Sequence, residues 1–564
     1  MAHVPSVVQQ PLRYLLHPAA VILAAIGYSA LVYYFDTRWR FLPYNIAATF
    51  VLASIFFLTS RRPFFSFYGA ALLALFLTLV SLVKFQFKGI ALHIYDFIFT
   101  GSDGSIISFL LTYYFSLVAT AVLALVAIFI LLTTLFLLEK PARFNVAVRV
   151  PVVVLGIIAA VIAYQPTKRD ADFLPFIGGY NASAFFLSLW HVPSLVKRLP
   201  LAEKIEHIKI DKPFADTVNC TANSKKPDFF LVLSESQTSP LVLPQLSIPA
   251  KDVDTFRSGD GKIKPLFVEI FGGGTWMTNF SVLTGLSSAD LGWQGPYVNQ
   301  LLEGKVKGGL PEVLSRCGYR TVAIMPMAYH SVNEGPFLNS LGFQEIYDSG
   351  AMNMPVMGIR DANYFDYAEQ LIAKHRKEDK RPLFLLVQTM FTHSPYDHAL
   401  LQDEATPPHV YAENPQANEY MRRVSASRSD LMRYVEQRRR TPGDDGSVFA
   451  EFGDHQSVAT RDYVLDRISD DSPFTDFRSA VYETFYSVHG FGVDIDYSQL
   501  GQVEDVPFLT ARLLAAAKLP TSPVFEDLRR LSDVCRGKFH TCDNRQEVDA
   551  HLKKRVDAGL LALD

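Results

Sequence analysis

Hydrophobic positions run along the 564-residue chain in two different ways. Up to about residue 165 they gather in stretches long enough for a spanning helix, which needs about 20 predominantly apolar residues. Five such stretches stand out, roughly Ala19–Phe35, Leu42–Leu58, Phe64–Val83, Ile107–Leu132 and Val150–Tyr164. The first two and the last are short, but each is flanked by Arg, Lys or Pro. The first run leads into four more and not into a cleavage site, so a secretory signal peptide fits poorly. Between the third and fourth, Phe85–Asp103 mixes apolar and charged residues, and reads equally as a segment lying in the membrane interface or as a connecting loop.

From Gln165 onward the pattern changes to apolar runs of strand length alternating with amphipathic stretches, as expected of an α/β domain with a buried, mostly parallel sheet. The layout expected is a transmembrane domain over 1–165, a linker and amphipathic connection over 166–226, and a soluble domain over 227–564. The clearest strands are Asp228–Leu233, Thr321–Met325, Leu383–Gln388 and Val448–Phe452. Polar, proline-containing Asp397–Ser425 reads as an irregular surface excursion, where Tyr396 and His398 either shape an acceptor site or are ordinary loop residues. His489 follows the strand-like YETFYSV and reads as structural, and Val548–Leu563 as a solvated amphipathic helix.

Three strands end in side chains capable of chemistry. FFLVLSES delivers Glu235, FLLVQTMFTH delivers His393, and VFAEFGDH delivers Asp454 and His455. In open α/β sheets ligands bind beyond the carboxyl ends of the strands, where residues distant in sequence meet. Singly, each has an ordinary reading as a solvated carboxylate, a loop histidine or a turn. At one sheet edge they favour a metal or phosphate site, because carboxylates and neutral imidazole ligate hard and borderline cations. A fourth element is FGGGTWMTNFSVLTGL, where a strand-like run ends at Phe271, three glycines follow and a helix begins near Thr275. Glycines let the backbone approach an anion closely, and a helix start favours phosphate or sulfate oxygens. Thr275 or Thr278 is either a plain N-cap or, once a metal or base activates it, a nucleophile.

Charge adds little: the net charge of −3 leaves no electrostatic footprint for nucleic acid. Around the spans, Arg61/Arg62 and Lys140/Arg143/Arg149 are matched by Arg38/Arg40, Lys84/Lys88 and Lys168/Arg169 on the other side, so the positive-inside rule is close to a tie. The four cysteines, Cys220, Cys317, Cys535 and Cys542, lack the spacing of a zinc cage. Cys535 and Cys542 bracket a short loop and are either free thiols or a disulfide suited to an oxidising compartment. With an odd number of spans the C-terminal domain lies across the membrane from the N-terminus, and that disulfide would put it outside the cytoplasm.

These residues resemble the alkaline-phosphatase superfamily. Within it the likeness is to the sulfatase-like membrane transferases: lipoteichoic-acid synthases, periplasmic glucan phosphoglycerol transferases and lipid A phosphoethanolamine transferases. The resemblance rests on the multi-span anchor, the Glu of LSES, the Thr of GGGTWMTNF, the His of FTHSPY and the late GDH, in that order. It implies an α-helical transmembrane bundle followed by an alkaline-phosphatase-like (sulfatase) domain. It also implies that Glu235, Thr275, Asp454 and His455 hold one divalent cation, Mn or Zn, with Mg a further option. His393 would then contact the phosphate or leaving oxygen, with Trp276 as a further substrate contact, while His330 is either a substitute head-group contact or a surface histidine. By the family's chemistry Thr275 attacks the phosphorus of a phospholipid donor, diacylglycerol departs, and a glycan or lipid acceptor collects the head group from phosphothreonine. The place implied is the inner (cytoplasmic) membrane, with the catalytic domain on the periplasmic or extracytoplasmic side.

The chain also departs from these relatives. Lipoteichoic-acid synthases carry a His-Gly pair followed by Trp and Arg near the position of MPMAYHSVNEGPF, and neither Trp nor Arg stands there. The multi-cysteine pattern and His-rich second metal site of phosphoethanolamine transferases are not evident, and the Gly-Gly-Gly-Thr-Trp run looks most like the phosphoglycerol side. The Cys/Ser-x-Pro-x-Arg motif of true sulfatases is not found near residue 275. The expectation is a phosphoglycerol transferase, with phosphoethanolamine transfer or phosphodiester hydrolysis at the same site as alternatives.

Overall fold

The computed structural model describes residues 13–36, 39–100, 104–168, 174–196, 199–220, 225–401, 409–468, 474 and 476–563. They fall into two compact units, Met1–Leu195 and Val196–Asp564.

Among the described residues the first unit contains five helices long and apolar enough to cross a membrane: Pro18–Phe35, Leu42–Ser60, the helix starting at Pro63, Phe115–Leu138 and the helix starting at Val146. Many of their side chains, Leu123, Phe129 and Ile162 among them, are apolar and exposed, as a lipid-facing surface requires. The fourth helix is displaced from its expected position. A separate helix, Gly104–Tyr113, comes first, the backbone breaks at Tyr114, and the apolar run continues to Leu138 before a charge ends it. That charge is Glu139, whose carboxylate accepts the N–H groups of Phe64 and Phe65 at 3.0 and 2.7 Å and so caps the third helix. The fifth helix begins at Val146, earlier than expected, because Asn145 caps it through Val148 N.

Phe85–Asp103 is a packed segment. The third helix ends at Gly89, after which Ile90, Ala91, Leu92, His93 and Tyr95 are buried, while residues 101–103 lie outside the described residues. The stretch 166–226 divides between the two units. Tyr180, Ala182, Phe186 and Leu187 share a core with Tyr28 and Phe41 of the first, whereas Leu199, Leu201 and Ile205 belong to the main core of the second.

The second unit is built on one eight-stranded sheet in the order β4-β3-β5-β1-β6-β7-β2-β8. The strands are β1 Asp228–Ser234, β2 Lys264–Phe267, β3 Arg320–Ile324, β4 Glu345–Tyr347, β5 Leu383–Gln388, β6 Ser447–Gly453, β7 Glu483–Phe491 and β8 Glu504–Asp505. β7 is antiparallel to both its neighbours, β6 and β2, and every other pairing is parallel, so the sheet is mixed but mostly parallel. Central β1 is buried along its whole length, which is why it reads as an unbroken apolar run. Its side chains alternate between two cores: Phe229, Leu231 and Leu233 face one, Phe230 and Val232 the other. Helices Asp361–Glu378 and Pro415–Arg440 pack into the second core, and helices Thr275–Thr284, Val506–Ala516, Pro523–Val534 and Arg545–Asp557 into the first.

Two expectations need correction. Asp397–Ser425 is not an irregular excursion throughout, because from Pro415 it forms a 26-residue helix, capped by Asn414 and burying Tyr420, Arg423 and Val424. Residues 402–408 of that stretch lie outside the described residues. The C-terminal helix runs over Arg545–Asp557 and is not simply solvated, since Val548, His551, Leu552 and Arg555 are buried. Its charge-rich sequence hid a face that packs. His489 does lie in a late strand, β7.

Candidate active site

Strand register builds the site. β1 and β6 pair with Ser234 opposite Gly453, so the next residues, Glu235 and Asp454, leave adjacent strands at the same level. On the other side of β1, Leu233 pairs with Gln388 at the end of β5, and Thr389 then ties the two chains together. Its N–H donates to Leu233 O at 3.0 Å, and its hydroxyl accepts the Glu235 N–H at 3.0 Å. Ser236 turns the chain with φ 52°, and its N–H donates to Asp454 Oδ1 at 2.6 Å.

The glycine-rich loop that carries Thr275 arrives from β2. Gly272, Gly273 and Gly274 have φ of 76°, 157° and 91°, a run of left-handed and extended-positive backbone that side chains would resist. Thr275 is the first residue of its helix, and one turn on Thr278 Oγ1 donates to Asp454 O at 2.7 Å, fixing the helix start over β6.

Thr275 Oγ1 donates to Glu235 Oε2 at 2.9 Å and stands 3.5 Å from His455 Nε2. Nδ1 of His455 is 3.0 Å from the Gln456 carbonyl, to which only a protonated nitrogen can donate, so the lone pair is assigned to Nε2. That nitrogen lies 3.3 Å from Asp454 Oδ2 and 3.7 Å from Glu235 Oε1. Asp454 Oδ2 is buried and makes no hydrogen bond among the described residues. Glu235, Asp454 and His455 are all buried, and each offers a ligand atom within 4.8 Å of the others.

The electrostatics show what this cluster lacks. Burial, and then the charge of Glu235, push the Asp454 carboxyl well above the usual carboxylate range. Burial works against ionised Glu235 too, but His455, His393 and the hydroxyls of Ser236 and Thr275 bring its carboxyl below its ordinary value. Burial holds His455 down, as a neutral ligand. Two buried carboxylates, one of them with an unpartnered oxygen among the described residues, and an imidazole lone pair form a donor set suited to a borderline divalent cation such as zinc or manganese. The residues therefore fit the expected cation.

His393 is half-buried, with Nδ1 2.6 Å from the Ser394 carbonyl, so Nε2 is the atom left for a ligand. Trp276, next to Thr275, is half-buried and its indole N–H donates to Pro296 O at 2.9 Å. His330 is exposed, its ring edge-on to Tyr329 with centroids 5.0 Å apart, and no hydrogen bond ties it to the Thr275 cluster among the described residues. His398 is exposed and pairs with Asp397, while buried Tyr396 donates to Thr392 O at 2.7 Å.

Sequence reasoning missed several supporting side chains. Fully buried Arg423 donates to the carbonyls of His393 and His398 at 3.0 and 2.9 Å and to Glu419 Oε1 at 2.8 Å, clamping the His393 loop. Asp361 accepts the N–H groups of Met390 and Phe391 at 3.1 and 3.0 Å. Tyr420 donates to Ser236 O at 2.7 Å. A further cluster joins Asn279, Glu334 and Gln388. The position of Asn279, one helical turn after Thr275, was the one signal visible in the sequence.

Residues 227–462 match the sulfatase family model. An uncharacterized protein of Haemophilus influenzae is 26% identical over 247 residues, which cover 41% of this chain and 44% of that protein. A putative cyclic β-1,2-glucan modification protein of Rhizobium meliloti is 29% identical over 183 residues, 31% of this chain and 27% of that protein. The chain thus spans less than half the length of these curated relatives. Among solved structures, the integral membrane lipooligosaccharide phosphoethanolamine transferase A of Neisseria meningitidis is similar with a TM-score of 0.48 and 13% identity, over 87% of this chain and 95% of that one.

Proposed function

We propose, from the premise that residues 227–462 are a sulfatase-family domain in a chain with five membrane-length apolar helices, that the protein moves a phosphoglycerol head group from a phospholipid to a cell-envelope acceptor. The observation that carries this reading is Thr275 Oγ1 at a glycine-rich helix start, hydrogen-bonded at 2.9 Å to Glu235 beside the Asp454–His455 pair. Because its proton points at Glu235 Oε2, Thr275 keeps its oxygen lone pairs for phosphorus. The Oγ1–P bond forms as the bond from phosphorus to the diacylglycerol oxygen breaks, and diacylglycerol leaves with the proton. An acceptor hydroxyl then attacks the phosphothreonine, the P–Oγ1 bond breaks, and Thr275 recovers its proton. His393 Nε2, left free by the Nδ1 contact with Ser394 O, is the atom that would contact the leaving oxygen. Glu235, Asp454, His455 and Thr275 would hold a divalent cation, which when bound would supply positive charge to the alkoxide and the phosphoryl oxygens.

The choice of glycerol over ethanolamine is supported by the Gly-Gly-Gly-Thr-Trp run, and a glycan acceptor by the glucan modification named for the Rhizobium relative. Disulfides Cys220–Cys317 and Cys535–Cys542 support a catalytic unit outside the cytoplasm, anchored in the inner membrane. The test is intact-mass analysis of purified full-length protein after incubation with mixed phospholipids. The expected result is a glycerophosphate adduct on Thr275, absent from Thr275→Ala. An ethanolamine phosphate adduct would select the other transferase, and undiminished diacylglycerol release by Thr275→Ala would overturn the nucleophile.

A further inference from the structure

We propose that Glu334 selects the head group. Its carboxyl accepts hydrogen bonds from a donor-bearing head-group terminus, the hydroxyls of glycerol or the ammonium of ethanolamine, and disfavours a terminus with none, such as choline. This rests on the transferase reading above and names the residue that reads its substrate.

Three elements converge on this carboxyl. Asn279 lies one turn beyond Thr275 on the same helix, so its side chain shares the face of the nucleophile. Gln388 ends β5, opposite Leu233, two residues before Glu235. Glu334 opens the helix Glu334–Ser340, in the loop region that follows β3. Asn279 Nδ2 and Gln388 Nε2 donate to the same oxygen, Glu334 Oε1, at 3.0 and 2.8 Å. Oε2 accepts no hydrogen bond, and no cation pairs with the carboxyl, among the described residues. All three residues are buried, and Asn279 Oδ1 is a buried acceptor with no partner. Asn279 Oδ1 is enclosed without a donor among the described residues, which is costly, while Glu334 Oε2 is not one of the fully enclosed atoms and stays open to a ligand. The cluster leaves two acceptor atoms, one on a carboxyl and one on an amide, matching a ligand that brings donors.

The loop before Glu334 is built to place it. Val332 and Asn333 both adopt left-handed backbone, with φ of 47° and 58°, and for a β-branched valine that is an outlier. Asn333 Nδ2 holds the conformation by donating to Glu303 Oε2 at 2.7 Å and Asn299 O at 3.2 Å. Gly335 follows, its N–H on Tyr329 O at 2.9 Å, and a Cβ there would stand 2.4 Å from the Tyr329 ring. After this turn Glu334 is buried, whereas His330 four residues earlier is exposed.

The experiment compares full-length metal-loaded protein with Glu334→Gln on phosphatidylglycerol, phosphatidylethanolamine and phosphatidylcholine, and on bis(p-nitrophenyl) phosphate, which carries no head group. Wild type is expected to release head groups from at least one of the first two lipids and to discriminate against choline by about tenfold or more. Which of those two is preferred identifies the donor terminus. Glu334→Gln is expected to raise KM for the preferred lipid by about tenfold while cleaving the aryl diester at nearly the wild-type rate. Equal loss on lipid and aryl diester would make Glu334 structural and overturn the proposal. Choline release by wild type as fast as the others would overturn it without reference to any variant. Aryl diester cleavage with no phosphothreonine from any lipid would mark failure of the transferase reading itself.

Discussion

Thr275, Asp454 and Asp361 each carry a consequence that a single substitution exposes. Thr275→Ala removes the hydroxyl that donates to Glu235 Oε2, and should lower head-group release by about a thousandfold or more, with Thr275→Ser partly active. Asp454→Asn keeps an acceptor for the Ser236 and His455 N–H groups but replaces the unpartnered oxygen. It is expected to leave the fold intact and abolish stoichiometric metal, as elemental analysis of the purified protein would show. Asp361 is pushed up to about 6 by burial, against its hydrogen bonds from Ser427, Phe391 and Met390. A carboxyl raised in the folded state stabilises the fold below its unfolded pKa of about 4, and loses that contribution as pH rises through the folded value. Asp361→Asn mimics the protonated group, so its stability should match wild type near pH 4 and exceed it on the order of 1–3 kcal/mol near pH 8, read by thermal unfolding. The candidate ligands Glu235, Asp454 and His455 were legible because each follows an apolar strand with a carboxylate or imidazole. Asp361 and Arg423 were not, because a buried charge and a surface charge look alike in sequence until the partner is known.

At the level of elements, the strands declared themselves more clearly than the helices around them. FFLVL can only be a buried strand or a buried helix segment, and its neighbours Asp228 and Ser-Glu-Ser limit it to strand length. Helix Pro415–Arg440 escaped notice because its polar face dominates composition, and its buried positions include Arg423, Arg428 and Arg438. The displaced fourth span has a related cause: apolar residues continue on both sides of Tyr114, and hydropathy does not record a backbone break. Covalent links were half visible. The short loop suggested Cys535–Cys542, but Cys220–Cys317 spans 97 residues, and only the fold brings those thiols together. Opening the longer loop by Cys220→Ser with Cys317→Ser should cost about 2–5 kcal/mol, more than opening the short one, as compared by unfolding midpoints.

For the molecule as a whole, two different solvents explain the two patterns in the chain. The first unit exposes apolar side chains that only lipid would accommodate, while the second buries its apolar residues in cores on both faces of a sheet. On the proposed topology, a membrane-impermeant protease added to intact spheroplasts should digest or shed the catalytic unit, and protection of that unit would reverse the orientation. Chelation should silence head-group release and manganese or zinc should restore it, the restoring ion being identified by titration.

Cys220 precedes the first strand of the sheet and its partner Cys317 stands just before β3, so the bond stitches the entry of the catalytic unit to the interior of its chain. On the same topology this makes maturation a matter of place. A copy still facing the reducing cytosol would lack that stitch, and the unit would be completed only once it met an oxidant on the far side. If the proposed function holds, an activity against phospholipid head groups would thereby be kept unfinished while the leaflet beside it is the cell's own inner one.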